Sequence, residues 1–283
     1  DATTHLYNHQ GDLNKLAFLK EDVTSLAYWL PQRKSVAIIG SGGGRDLLTA
    51  KVFGSQSVLG VELNPIFRKL LYEHPTYSPY AGIKELPGVD VVVDEARSWF
   101  SRANQQFDLI QMSLIDTWAA TQAGAFTLSE NGLYTVEGWQ LFLSRLSKRG
   151  ALTVSRWFTP GAVDETGRMV SLAVATLLRQ GHKNPQDHIF LATSDRIATL
   201  VLRKNPFTKE EVQSLLRACK KLDYTVHLAP GKPVSNETFK TICSAKGEAD
   251  LFNATSPLAL DLSPATDDKP FFFVLVPFHR LHK

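Results

Sequence analysis

The stretch Val36-Ala37-Ile38-Ile39-Gly40-Ser41-Gly42-Gly43-Gly44-Arg45-Asp46 decides how this chain folds. Its first four residues are apolar and mostly β-branched, the composition of a short buried strand. Residues 47–52 then read as a helix. Glycines between a first strand and a first helix let a ligand approach the backbone and let the helix begin tightly. Gly40, Gly42 and Gly44 are therefore candidate binding positions, with Arg45 and Asp46 beside them. A dinucleotide fingerprint needs a glycine at position 45, where Arg45 stands, so phosphate is not the favoured ligand. A P-loop is excluded because no Gly-Lys-Ser/Thr follows.

The same strand and helix rhythm continues outward. Short β-branched runs recur at 58–61, 89–93, 109–112, 151–155, 189–193 and 198–202. Amphipathic stretches lie between them: Trp139, Phe142, Leu143 and Leu146 follow helical spacing, and residues 169–178 form another helix. Strands alternating with helices predict a parallel, doubly wound sheet. Only residues 194–197 separate the last two runs, too few for a parallel crossover, so these pair as an antiparallel hairpin. The expected fold is α/β: a methyltransferase-type Rossmann sheet, parallel with an antiparallel terminal hairpin, plus a small C-terminal α+β extension.

Three regions are expected. Residues 1–30 are an N-terminal helical extension, with Leu13, Leu16, Ala17, Val23, Leu26 and Ala27 on one face and Pro31 as its stop. Residues 31–205 are the binding domain. Residues 206–283 are the extension, holding a helix around Val212, Leu215, Leu216 and Cys219, a strand near 224–228 and a helix near 236–244. The Phe-rich run 270–277 reads as a buried strand, and as a membrane-adjacent segment second.

Composition bounds the function. At 283 residues, 43% hydrophobic and 21% charged, the chain can bury a full core. Its two cysteines, Cys219 and Cys243, exclude a disulfide framework and a Cys-rich zinc site. A net charge of +3 is too mild to point to nucleic acid. No metal is expected, since no two of the eight histidines stand at i, i+4 with an acid between them. No Gly-x-Ser-x-Gly elbow supports a hydrolase. No run reaches the ~18–20 apolar residues of a membrane span and no signal peptide is visible, so a cytoplasmic domain is expected. The start at Asp1 suits a fragment or a processed form.

Acids recur at successive strand ends. Glu62 closes the second strand, where a carboxylate can accept from both hydroxyls of a ribose. Asp94 and Glu95 close the third: one is a helix cap, the other accepts from an adenine amino group. Together with the glycines, these three strand ends point to an adenosine ligand. The fourth strand runs into Ser113, and ligands in open α/β sheets gather beyond the strand ends at the switch point between the first and fourth strands. The reaction loop is therefore expected at 113–131, with Asp116 as proton acceptor or ammonium anchor, Glu130 behind it, and Trp118 as a wall or cation–π partner. Tyr77, in a Pro-containing loop with Tyr72 and Tyr80, is a candidate acceptor contact.

These stretches resemble the spermidine synthase family, the polyamine aminopropyltransferases, above all the bacterial spermidine synthase-like proteins that carry this domain beside membrane segments. The likeness runs through 35–46, 60–65, 91–100, 107–118, 125–139 and Thr266-Asp267-Asp268-Lys269-Pro270-Phe271-Phe272-Phe273. It implies S-adenosylmethionine or its decarboxylated form as co-substrate, an alkyl group moved from sulfonium to a small amine acceptor, and a homodimer or an attachment to membrane segments among the possible assemblies. It places Glu62 on the ribose, Glu95 where the family's adenine-contacting Asp lies, and Asp116 as the second acid of the Asp-Ser-Ser-Asp gate.

Two positions depart from the family. Arg45 stands where the family has an Asp that binds the aminopropyl ammonium. An Arg there suits a carboxylate, which intact S-adenosylmethionine has, while Asp46 takes over the ammonium by a one-residue shift. Ser113 stands at the first gate acid, and serine is a poor general base. Three readings follow: an aminopropyl-type transferase; a methyltransferase or aminocarboxypropyl transferase on the same fold; or a non-catalytic nucleotide-sensing domain of a membrane protein.

Overall fold

The computed structural model describes residues 5–115 and 131–276. Its centre is one eight-stranded sheet of order β3-β2-β1-β4-β5-β7-β6-β8. The strands are β1 (Ser35–Ile39), β2 (Ser57–Glu62), β3 (Val89–Val93), β4 (Phe107–Ser113), β5 (Leu146–Trp157), β6 (Ile189–Ser194), β7 (Ile197–Arg203) and β8 (Thr225–Leu228). The first five pair in parallel. β7 inserts antiparallel between β5 and β6. This is the order of a methyltransferase-type Rossmann sheet, with β8 added antiparallel at the β6 edge. The strand of the C-terminal stretch thus belongs to the main sheet.

Both faces of the sheet are covered, so its central strands are apolar throughout. Val36 and Ile38 point into one layer and Ala37 and Ile39 into the other, the period-two alternation of a strand. One layer packs α4 (Ala96–Arg102), α5 (Val136–Ser144), α6 (Glu165–Arg179), α8 (Glu237–Cys243) and α9 (Glu248–Thr255). The other packs α1 (Arg45–Val52), α2 (Pro65–Tyr72), α3 (Tyr77–Ala81), α7 (Lys209–Leu222) and the N-terminal segment. Cys219 and Cys243 sit in these layers, and burial pushes both thiols up to about 12.

Three local expectations are corrected. The N-terminal stretch is not one amphipathic helix but two 3-10 segments, Leu13–Glu21 and Val23–Trp29. Asp22 breaks it, because its carboxylate caps the second segment by accepting from the Thr24 amide and hydroxyl. Leu146 is not on the helix of Trp139 and Phe142. It opens β5 opposite Phe107, and a register shift follows before Leu109. The run Phe271-Phe272-Phe273 is buried in part but forms no strand. Arg168, nearly buried on α6, takes the Phe272 carbonyl at 3.2 Å and the Val274 carbonyl instead.

Candidate functional site

The parallel strands end on one edge, and the order reverses between β1 and β4, opening the crevice where open α/β sheets bind ligands. The glycine turn lies at this point. Gly40, Gly42 and Gly44 all have positive φ, at +74°, +47° and +86°, a region open to glycine at little cost. Their roles differ. A Cβ on Gly44 would fall 2.1 Å from the buried Ile83 Cδ1, so this glycine seats α1. A Cβ on Gly40 would meet Ile115 at 3.2 Å, on the segment leaving β4.

Glu62 lies under this turn, nearly buried. One oxygen accepts from the Gly42 amide at 2.8 Å, with the Ser41 hydroxyl at 3.4 Å; the other accepts from the Asn64 amide at 2.9 Å. The carboxylate thus ties β2 to the glycine turn while Oε1, with one such donor, keeps acceptor capacity. Leu63 beside it is 69% exposed.

Of the paired acids just beyond β3, Glu95 is the cap. It accepts from the Arg97 amide at 2.9 Å and the Ser98 amide at 2.7 Å. Burial opposes its charge, but these two amides outweigh it and hold the carboxyl below its usual range. Asp94 accepts from the Glu95 amide at 2.9 Å and is paired with Arg102.

Arg45 does not reach outward for a carboxylate. It pairs with Asp22 at 2.5 Å and Asp46 at 3.3 Å, and donates to the Thr24 hydroxyl at 3.1 Å. Asp46 is 8% exposed. Burial pushes the Asp46 carboxyl up, and Arg45 and Ser113 only partly offset it. Ser113 in turn accepts from the Gln111 side-chain amide at 2.8 Å, and Tyr28 donates to the other end of that amide at 2.5 Å. Leu114, the next residue after β4, has φ +50°, a strain of about 1–3 kcal/mol for such a side chain, of the kind that collects at functional sites.

Asp116, Trp118 and Glu130 lie outside the described residues. Tyr77 sits at the start of α3 with its ring 4.5 Å from His74, half exposed. Two cavities of about 530 and 560 Å³ adjoin the β6–β7 turn at the same sheet edge. The larger is walled by Glu21, Asp22, Trp157, Asp195 and Arg196 among others.

The sequence does not show the partners of two groups near the site. Arg97 grips Asp267 through two bonds of 2.7 Å, and Thr135 donates to the same carboxylate at 2.7 Å. Arg156, buried beneath the end of β4, donates to the Ile115 carbonyl at 3.2 Å, pairs with Glu165 and stacks under Phe273. The first could be sought in Thr266-Asp267-Asp268, since a lone acidic pair before an apolar run asks for a partner. Nothing in the strand pattern marks Arg156. Among the described residues no group of three or more His, Cys, Asp or Glu could hold a metal. No helix among them is long and apolar enough to cross a membrane.

No family model and no curated protein matches the chain. Solved structures do. Human methyltransferase-like protein 13 in complex with SAH is similar over 76% of this chain and 90% of that one, at 15% identity and a TM-score of 0.45. A spermidine synthase in complex with the transition-state analogue AdoDATO is similar over 85% and 75%, at 14% identity and 0.49. Spermidine synthase from Thermotoga maritima is similar over 83% and 74%, at 14% and 0.45.

Proposed function

We propose that this chain is a transferase of the spermidine synthase type that binds an adenosyl sulfonium at the β1–β4 switch point and moves an aminopropyl-type group to an amine. The observation that carries this reading is Glu62 under the glycine turn. A nearly buried carboxylate with spare acceptor capacity, beside a turn without side chains and an exposed Leu63, suits a ribose diol and an apolar ring. A sulfonium supplies a good leaving group. The protein's part is to align the nucleophile, exclude water and take a proton.

The choice of transferred group turns on Arg45. With its guanidinium spent on Asp22 and Asp46, Arg45 offers no counter-ion to a methionyl carboxylate. Counting Arg45 against Asp22 and ionised Asp46, the cluster carries a net charge of −1. That repels a carboxylate and attracts an ammonium, which favours decarboxylated S-adenosylmethionine. The cavity walled by Glu21, Asp22, Trp157, Asp195 and Arg196 offers the acceptor amine three carboxylates against one guanidinium, and an aromatic face.

Calorimetric titration with intact and decarboxylated S-adenosylmethionine tests this. The decarboxylated form is expected to bind more tightly. Glu62→Gln is expected to weaken binding by about 1.5–3 kcal/mol, the worth of hydrogen bonds to a charged group. Tighter binding of the intact form would move the reading to methyl or aminocarboxypropyl transfer. Binding of neither would end the adenosyl reading.

A further inference from the structure

Arg156 stands at a position that strand alternation reserves for an apolar residue. Leu152 and Val154 precede it on the same face of β5, both buried in the layer of α5 and α6, and Arg156 is itself 2% exposed. A guanidinium is costly to bury unless its charge is paired and its N–H groups are bonded. Glu165, at the start of α6, accepts from its Nε and balances the charge. The rings of Phe273 and Tyr134 cover it, their centres 4.7 and 5.5 Å from the guanidinium carbon. Its Nη1 is turned to a different task and donates to the Ile115 carbonyl at 3.2 Å.

That carbonyl lies where the chain leaves β4. Leu114 has a φ of +50°, which turns the backbone out of the ladder. The Leu114 amide is still held by the Ser155 carbonyl at 2.9 Å, and the Ile115 carbonyl by Arg156. Two successive residues of β5 thus hold two successive residues beyond β4. The turn brings the Ile115 side chain to Gly40, where a Cβ would meet Cδ1 and Cγ1 at 3.2 Å. The gap between the glycine turn and the end of β4 is the switch-point crevice. Ile115 is its wall on the β4 side.

We propose that Arg156 is a positioning residue for the transfer: it sets the spacing between Ile115 and Gly40, and so the alignment of the sulfonium with the incoming amine. This rests on the transferase reading above. Arg156 acts through Ile115 and not by touching a reactant. The grip on the co-substrate belongs to Glu62, which bonds Gly42 and Asn64, so Arg156 bears on kcat and not on affinity. A reacting group misplaced by about 1 Å can cost roughly 10²-fold in rate. The C-terminal segment enters the same device, since Phe273 is one of the two rings that seat the guanidinium.

Arg156→Met combined with Glu165→Gln removes the donor without leaving a buried charge unpaired, and is expected to keep the fold. Turnover is read with labelled decarboxylated and intact S-adenosylmethionine and 1,4-diaminobutane as the amine probe. The double variant is expected to lower kcat by roughly 10²-fold with calorimetric affinity for the co-substrate kept. Arg156→Lys keeps a cation for Glu165 but lacks the planar fork, so kcat is expected to stay low. Ile115→Ala should lower kcat as well. Added to the double variant it should lower kcat little further, because both act on one contact. Hydrogen exchange reads the same device without turnover. The Leu114 amide is expected to exchange faster in the double variant while the Ile110 and Met112 amides keep their wild-type rates. Wild-type kcat in Arg156→Lys or in the double variant would overturn the proposal. So would additive losses with Ile115→Ala, an unmoved Leu114 amide, a loss of affinity that accounts for the loss of rate, or co-substrate binding without turnover. If neither co-substrate binds, the transferase reading falls instead, and the positioning role with it.

Discussion

Gly44 and Gly40 look alike in the sequence and do different work in the fold. Both have positive φ. At Gly44 an added methyl meets a fully buried isoleucine at 2.1 Å, so strain and overpacking fall on the same atom. Gly44→Ala is expected to destabilise the fold by on the order of 3 kcal/mol, read as a lower denaturant midpoint at unchanged slope. At Gly40 the contact is Ile115 at 3.2 Å, which is half-buried and can yield. Gly40→Ala should cost less stability than Gly44→Ala. Equal costs would mean that the left-handed backbone, and not Ile83, sets the penalty. Gly-Ser-Gly-Gly-Gly announced a turn with a close approach. It did not say which glycine faces the core, because Ile83 arrives from a distant loop.

At the scale of elements, the N-terminal segment is a wall of the site and not an appendage. Its two 3-10 turns place Asp22 and Thr24 on Arg45 and lay Tyr28 against Gln111 on β4. Tyr28→Phe keeps the ring and removes the donor, leaving the Gln111 oxygen buried without it. The expected cost is about 1–3 kcal/mol, measured by chemical denaturation, and a loss within error would show the amide has found another donor. Sequence periodicity found the strands here because each central strand is apolar on both faces, a strong local signal. It also found the hairpin from the shortness of 194–197. It could not find the break at Asp22, since a capping carboxylate and a surface carboxylate read alike until the partner Arg45 is brought close. It misread the described part of 270–277 as a strand for a related reason: the Phe272 and Val274 carbonyls are satisfied by the Arg168 side chain, which no local pattern encodes.

Across the whole molecule, segments from both ends of the chain fasten onto the carboxyl edge of the sheet. The later one is the clamp at Asp267. Arg97, the second residue of α4, holds it along with Thr135, while Glu137 accepts from its amide at 2.9 Å. The same segment takes the Asn131 amide at Pro270 and the Val136 amide at Ala265. So the stretch that begins at Asn131 is anchored by residues more than a hundred positions later. The Arg97 bond, helped by Thr135, holds the Asp267 carboxyl below its usual range despite some burial. A carboxyl lowered on folding stabilises above its unfolded pKa, and that contribution is lost as pH falls through its folded pKa. The half-exposed side chain makes it small in global terms, so the effect belongs in local opening. Asp267→Asn is expected to speed hydrogen exchange at the Asn131 and Val136 amides at neutral pH while leaving the β1 and β2 amides at their wild-type rates. Acidifying the wild type through the usual carboxylate range should reproduce that pattern, and acidifying the variant should add little to it. A uniform acceleration across all strands would show instead that the clamp bears on global stability, and that the stretch from Asn131 to Val136 is held by something other than this carboxylate.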